Sequence, residues 1–166
     1  MARKLPDFDQ LVQLYLGKEY SADQVKRKVG GDLDSEDVTN TCVVRLSAPL
    51  NGLGELIPPW SKKFRTRKGK DKRWYGLRVK EFWQYLLDNY GPPTVSAKSP
   101  LKKETFAGIR GIIGFRVSKF TDATGHFTLW DGDKLLYGGD DHDYFAIADE
   151  AALWEASNVR VISAPG

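Results

Sequence analysis

Apolar positions along the chain follow a helical period in its first 90 residues and a strand-like one after residue 108. The longest helical run is Val79, Phe82, Trp83, Leu86, Leu87 and Tyr90, at i, i+3, i+4, i+7, i+8 and i+11. That spacing makes one buried face, and an aromatic stripe of this kind reads as core. Gly91 and Pro92-Pro93 end the run, as a C′ glycine and a following proline do. Upstream, Phe8, Leu11, Val12, Leu14 and Tyr15 predict a short helix over 8–17 with Gly17 as its C-cap. Ser21 opens a second over 21–29, which Gly30-Gly31 ends, and Asp32 to Asp37 reads as a polar loop. A third helix starts behind Asn40-Thr41, both N-cap types, and buries Val43, Leu46, Leu50 and Leu53 at i, i+3, i+7 and i+10. Pro49 lacks the N–H that a helix needs, so this helix should kink there or end soon after.

Past Gly108 the run Gly111 to Val117 reads as a central strand. After a turn at Asp122 to Gly125, residues His126 to Trp130 alternate strictly. Phe127 and Leu129 take one face; His126, Thr128 and Trp130 take the other. Asp131-Gly132 is a hairpin signal, with Lys134 to Tyr137 as the returning strand. Trp74 to Leu77 predicts a short strand, 149–156 a short helix and 159–162 a last strand. The fold class is α+β, and residues 1–166, without repeat or linker, suit one domain with one core.

Composition narrows the function. A single cysteine excludes an internal disulfide and a thiolate cluster for structural zinc, and nothing in the sequence implies a cofactor. The start lacks the apolar core of a signal peptide, so a cytoplasmic origin and another export route are expected. No apolar run approaches the ~18 residues of a membrane span, so no membrane insertion is expected. The net charge of +3 is local. Residues 61–73 hold Lys62, Lys63, Arg65, Arg67, Lys68, Lys70, Lys72 and Arg73 against Asp71, leaving 17 basic residues against 21 acidic elsewhere. This stretch reads as a solvated, mobile loop.

The single cysteine, Cys42, falls in the first turn of the third helix. The positive end of the helix dipole there favours thiolate and should lower the thiol pKa. The competing reading is a small buried hydrophobe. What weighs for chemistry is the order of elements: a cysteine at a helix start, then His126 on a strand face, then a hairpin and an acidic turn. That is the layout of a papain-like cysteine hydrolase. First-turn amides can hold an oxyanion, and the histidine can shuttle the proton while a polar partner past the hairpin holds its ring.

Three stretches make the likeness specific: Thr41-Cys42-Val43-Val44-Arg45-Leu46-Ser47, Tyr75-Gly76-Leu77-Arg78-Val79, and Gly125-His126-Phe127-Thr128-Leu129-Trp130-Asp131-Gly132. The chain resembles family 4 of the type VI secretion amidase effectors, antibacterial relatives of the NlpC/P60 peptidases. The resemblance implies a papain-like NlpC/P60-type fold, with the cysteine helix packed on an antiparallel sheet that carries the histidine. It implies Cys42 as nucleophile and His126 as general base, cleaving the γ-D-glutamyl–meso-diaminopimelate amide of peptidoglycan stem peptides. Delivery by the contractile secretion apparatus, action in the periplasm of target bacteria and a cognate immunity protein follow from the same resemblance.

The family places an aspartate on or just after the strand that follows the hairpin, sometimes beside a cysteine pair. Here the pair is absent and the spacing is longer, through Gly138-Gly139-Asp140-Asp141-His142-Asp143. Asp140 is the expected third residue and Asp141 the alternative, while Asp131 should sit in the tight turn, pointing elsewhere. A metal held by these adjacent residues is not expected, since they rarely converge on one ion and the glutamate of a calcium loop is missing. The rival function is a module binding nucleic acid or an anionic surface through 61–73, with Trp60, Phe64, Trp74 and Tyr75 as stacking surfaces. No specific nucleic-acid partner is expected on the amidase reading.

Overall fold

The structure is a computed structural model that describes residues 2–118, 125–138 and 143–156. Three helices open the chain: α1 (Phe8–Leu14), α2 (Ala22–Val29) and α3 (Cys42–Gly52). A hairpin of β1 (Thr66–Lys68) and β2 (Trp74–Gly76) leads into α4 (Val79–Tyr90). Next come β3 (Val95–Lys98), β4 (Gly111–Arg116), β5 (Gly125–Trp130), α5 (Tyr144–Ile147) and β6 (Glu150–Glu155). The last four strands form one antiparallel sheet in the order β3-β6-β4-β5.

Both faces of the sheet are covered. Ile112, Phe127, Leu129, Ala152 and Trp154 pack with α1, α3 and α4. Ile113, Phe115, Trp130, Ala151 and Leu153 pack on the other side with Phe106 and Tyr144. The alternation expected along β5 therefore sorts side chains between two cores, not between core and water. β4 is central as expected; β5 is the sheet edge, and on its outer side Leu129 O accepts from Leu136 N–H at 2.9 Å.

Several expectations hold to the residue. α4 spans the aromatic stripe, and Gly91 caps it at φ +81°. Ser21 and Gln24 form a reciprocal capping box on α2. α3 runs through Pro49 and stops three residues later.

Others are corrected. α1 ends at Leu14, because Tyr15 turns extended, so Gly17 is not its C-cap. Residues 31–33 form a 3-10 turn that buries Leu33. Residues 150–155 are the strand β6, not a helix; Ala151 to Trp154 are buried on both faces, and such an uninterrupted apolar run has no strand alternation to read. Past Asp131 the chain pairs back through a single bridge, Leu135 to Trp130, with Leu136 N–H donating to Leu129 O at 2.9 Å, so the return is shorter than the expected strand over Lys134 to Tyr137. Asp131 Oδ1 accepts from the amides of Asp133 and Lys134 at 2.9 and 2.8 Å, which holds the tight turn as expected. The basic run is an ordered hairpin whose inward residues Phe64 and Thr66 are buried. Arg65 N–H donates to Glu81 Oε1 at 2.8 Å and ties the hairpin to α4. The last strand expected over 159–162 lies outside the described residues, as do residues 119–124 of the turn before β5.

Candidate active site

The site forms where the start of α3 meets the edge strand β5. Cys42 is the first residue of α3 and is 2% exposed. Its amide donates to Asn40 Oδ1 at 3.0 Å, so Asn40 satisfies an orphan donor of the helix start. Thr41 occupies the N-cap position without capping; its Oγ1 accepts from Arg45 Nε at 3.1 Å. The Cys42 thiol reaches the main chain of Phe127, the residue after His126, and this contact brings the cysteine and the histidine strand together.

The expected lowering of the thiol pKa does not occur. Burial pushes the Cys42 thiol up to about 11. Hydrogen bonds from Phe127, Val43 and Asn40, and the charge of Arg45, pull it back only in part. At neutral pH a thiol raised this far stays protonated.

His126 lies on β5, 4% exposed, stacked on the Tyr144 ring at 4.5 Å and 9°. Its Nε2 is 2.9 Å from the carbonyl oxygen of Tyr137. An Nε2–H donating there leaves Nδ1 as the basic nitrogen, a tautomer assigned from this partner. Tyr137 is itself fixed, since its N–H donates to Thr128 Oγ1 at 3.1 Å and Thr128 shares a 3.0 Å hydrogen bond with the buried Tyr15 hydroxyl. Its ring lies over the Arg45 guanidinium at 4.0 Å.

Arg45 is fully buried and joins these parts. It donates to the carbonyls of Leu16, Gly17 and Tyr20 at 3.0, 2.6 and 2.9 Å. Two residues on, Ser47 Oγ donates to Val43 O at 2.8 Å and accepts from the Gly76 amide at 3.0 Å. A Cβ on Gly76 would meet Phe64 and Val43 at 2.6 and 2.7 Å, so the hairpin seats on α3 only with glycine there. Gly125, beside His126, has the same restriction, with Phe115 O at 1.7 Å from an added Cβ.

Sequence reasoning missed Tyr137 and Tyr144 because both act from irregular or unassigned stretches. Thr128 carried a signal, since alternation puts it on the His126 face. Asp140 and Asp141 lie outside the described residues. Of the four expected stacking surfaces, Phe64 and Tyr75 are buried, leaving Trp60 exposed and Trp74 half-buried.

A groove of about 1490 Å³ opens beside Thr39 and Asn40. Its walls carry eight Lys or Arg residues, among them Lys62, Lys63, Arg65, Lys80 and Arg116, against four acidic ones.

Residues 38–154 match the model of the family described as type VI secretion system (T6SS), amidase effector protein 4. The chain belongs to that family. It is a type VI secretion amidase effector, an antibacterial peptidoglycan hydrolase. The effector is similar to the solved Tae4 of Enterobacter cloacae, at 30% identity over 95% of this chain and 100% of that one, with a TM-score of 0.83. The Tae4 in the Tae4–Tai4 effector–immunity complex from Enterobacter cloacae is 31% identical over 92% of this chain and 99% of that one, TM-score 0.79. The effector of the Tae4/Tai4 effector–immunity system from Salmonella typhimurium is 25% identical over the same shares, TM-score 0.82. The comparison with curated proteins gave no match. The papain-like α+β fold is that of the family, and no helix of the described residues is long and apolar enough to cross a membrane.

Proposed function

We propose that the effector is a cysteine amidase that cleaves the γ-D-glutamyl–meso-diaminopimelate bond of peptidoglycan stem peptides in the periplasm of target bacteria. The observation that carries this reading is the Cys42 thiol held against the main chain next to His126, within a family of amidase effectors. His126 Nδ1 takes the thiol proton as sulfur attacks the amide carbon, and returns it to the departing diaminopimelate amine. Water then attacks the thioester, with the histidine again as base, and the cysteine is regenerated.

Two groups steady the imidazolium that forms. The Tyr137 carbonyl accepts from Nε2–H, and a carboxylate follows three residues on, Asp140 by preference and Asp141 as the alternative. The oxyanion calls for a first-turn amide of α3. The Cys42 amide now serves Asn40, so its use requires the Asn40 side chain to give way.

The basic groove suits the substrate, because stem peptides carry several carboxylates and a cationic wall raises their local concentration. By analogy with the Tae4–Tai4 complexes, a cognate immunity protein blocks the effector in its producer. Incubation with purified sacculi tests the reading. Wild-type protein releases soluble muropeptides, Cys42→Ala releases none while keeping its circular dichroism, and equal release by both removes Cys42 from the chemistry.

A further inference from the structure

A second cleft lies on the outer side of the hairpin, away from the thiol. It measures about 550 Å³ and is lined by Asp32, Asp34, Ser35, Trp60, Arg67 and Trp74, among others. Trp60 is 54% exposed and belongs to none of the three hydrophobic clusters. Its loop is nonetheless held on both sides. Pro58 O accepts from Thr66 Oγ1 at 3.1 Å, and Ser61 N–H donates to Phe64 O at 3.1 Å. A single exposed ring would carry no meaning, but here two indoles line one cleft. Trp74, half-buried, supplies the second ring, with Lys68 Nζ 5.2 Å from its centroid.

The chemistry around the rings selects the ligand. Indole faces accept the apolar C–H face of a sugar ring, and carboxylates beside them accept hydrogen bonds from its hydroxyls. Asp32 and Asp34 are both exposed here. The same two carboxylates oppose a phosphodiester, which disfavours a nucleic-acid strand despite the nearby lysines. The cleft shares one wall residue with the basic groove beside Thr39 and Asn40. Arg67 lines both, its guanidinium held between them by paired bonds to Asp37 and by the Asp32 carbonyl at 3.4 Å.

We infer that the Trp60–Trp74 cleft is a saccharide subsite, which takes the glycan strand while the stem peptide lies in the basic groove. The assignment rests on the peptidoglycan reading above and adds a polymer-binding element to it. An exposed ring contributes modestly, so the effect is on binding, with little on the chemical step.

The test has two arms. In the first, a soluble N-acetylglucosamine tetramer is titrated into wild-type protein and Trp60→Ala, and the indole N–H resonances are followed by NMR. Saturable shifts at Trp60 and Trp74, weakened about three- to tenfold or more in Trp60→Ala, are expected. In the second, kcat/KM is measured on intact sacculi and on the free tetrapeptide. Trp60→Ala lowers the ratio of the two by about three- to tenfold, the worth of one aromatic contact. Asp34→Asn, an exposed change, should lower it in the same direction. No saturable shift, an unchanged ratio, or salt-sensitive binding of oligothymidine at Trp60 in place of the sugar overturns the inference. If wild-type protein hydrolyses neither substrate, the amidase reading fails, and the sugar titration still decides the subsite.

Discussion

Arg45 and the basic hairpin carry the same charge in opposite surroundings. Arg45 is fully buried, its donors spent on three carbonyls and a hydroxyl, and no ion pair among the described residues involves it. The hairpin cations stand at the surface; Arg67 is paired with Asp37 and Arg65 with Glu81, while others face the groove. A buried guanidinium among carbonyls fixes geometry, because every donor it loses leaves an unsatisfied acceptor. A surface cation is screened and replaceable, so it acts on an approaching ligand more than on the fold. On the proposed mechanism, Cys42 and His126 sit on the first kind of support and the substrate meets the second.

The largest expected effect is on rate. Asp140→Asn should lower kcat by about 10³- to 10⁴-fold, the loss seen when the orienting acid of such a triad is neutralised. Asp141→Asn should be mild if that stretch is extended, since adjacent side chains then point apart. The reverse order shifts the orienting role by one residue and leaves Cys42 and His126 in place. If neither change matters, the Tyr137 carbonyl is sufficient to hold the ring.

Next in size is the contrast itself. Arg45→Met should destabilise the fold by about 3 kcal/mol or more, because the Leu16, Gly17 and Tyr20 carbonyls lose a charged donor together. Denaturant unfolding reads this directly. Lys62→Ala with Lys63→Ala should leave stability within about 0.5 kcal/mol. KM for stem peptide should instead rise several-fold, and the gap to wild type should close at high salt. Equal destabilisation by both changes would erase the distinction between the two regions.

The smallest effect is on thiol reactivity. With its pKa raised to about 11 by burial, Cys42 should react with iodoacetamide at pH 7 more slowly than a model thiol, the rate climbing as pH approaches 11. The unfolded chain releases the same proton near pH 9, below the folded value. The folded state therefore binds more protons between these pH values, and this thiol lowers stability as pH rises above about 9. Fast labelling at pH 7 would mean a resting thiolate and an ion pair with His126.

Much of this was legible in the sequence where one period dominated. The α4 stripe, the start of α2 at Ser21 and the placing of Cys42 at a helix start and His126 on a strand followed from pattern, and the motifs identified the family. β6 was misread because Ala151-Ala152-Leu153-Trp154 is buried on both faces and so lacks alternation. The basic hairpin was misread because lysine density hid the inward pair Phe64 and Thr66. The thiol pKa was misjudged because the helix dipole is visible in a sequence, whereas the desolvation that outweighs it depends on packing by β5. The Tyr137 carbonyl could not be found by side-chain type at all, since it acts through its main chain.

The central claim is that Cys42, with His126 as base, cleaves one defined amide. The most direct measurement is mass analysis of the products from the tetrapeptide L-alanyl-γ-D-glutamyl-meso-diaminopimelyl-D-alanine, with wild-type protein and with Cys42→Ala. The account predicts L-alanyl-D-glutamate and diaminopimelyl-D-alanine from wild type and intact peptide from the variant. Cleavage at another bond, or the same fragments from Cys42→Ala, would contradict it.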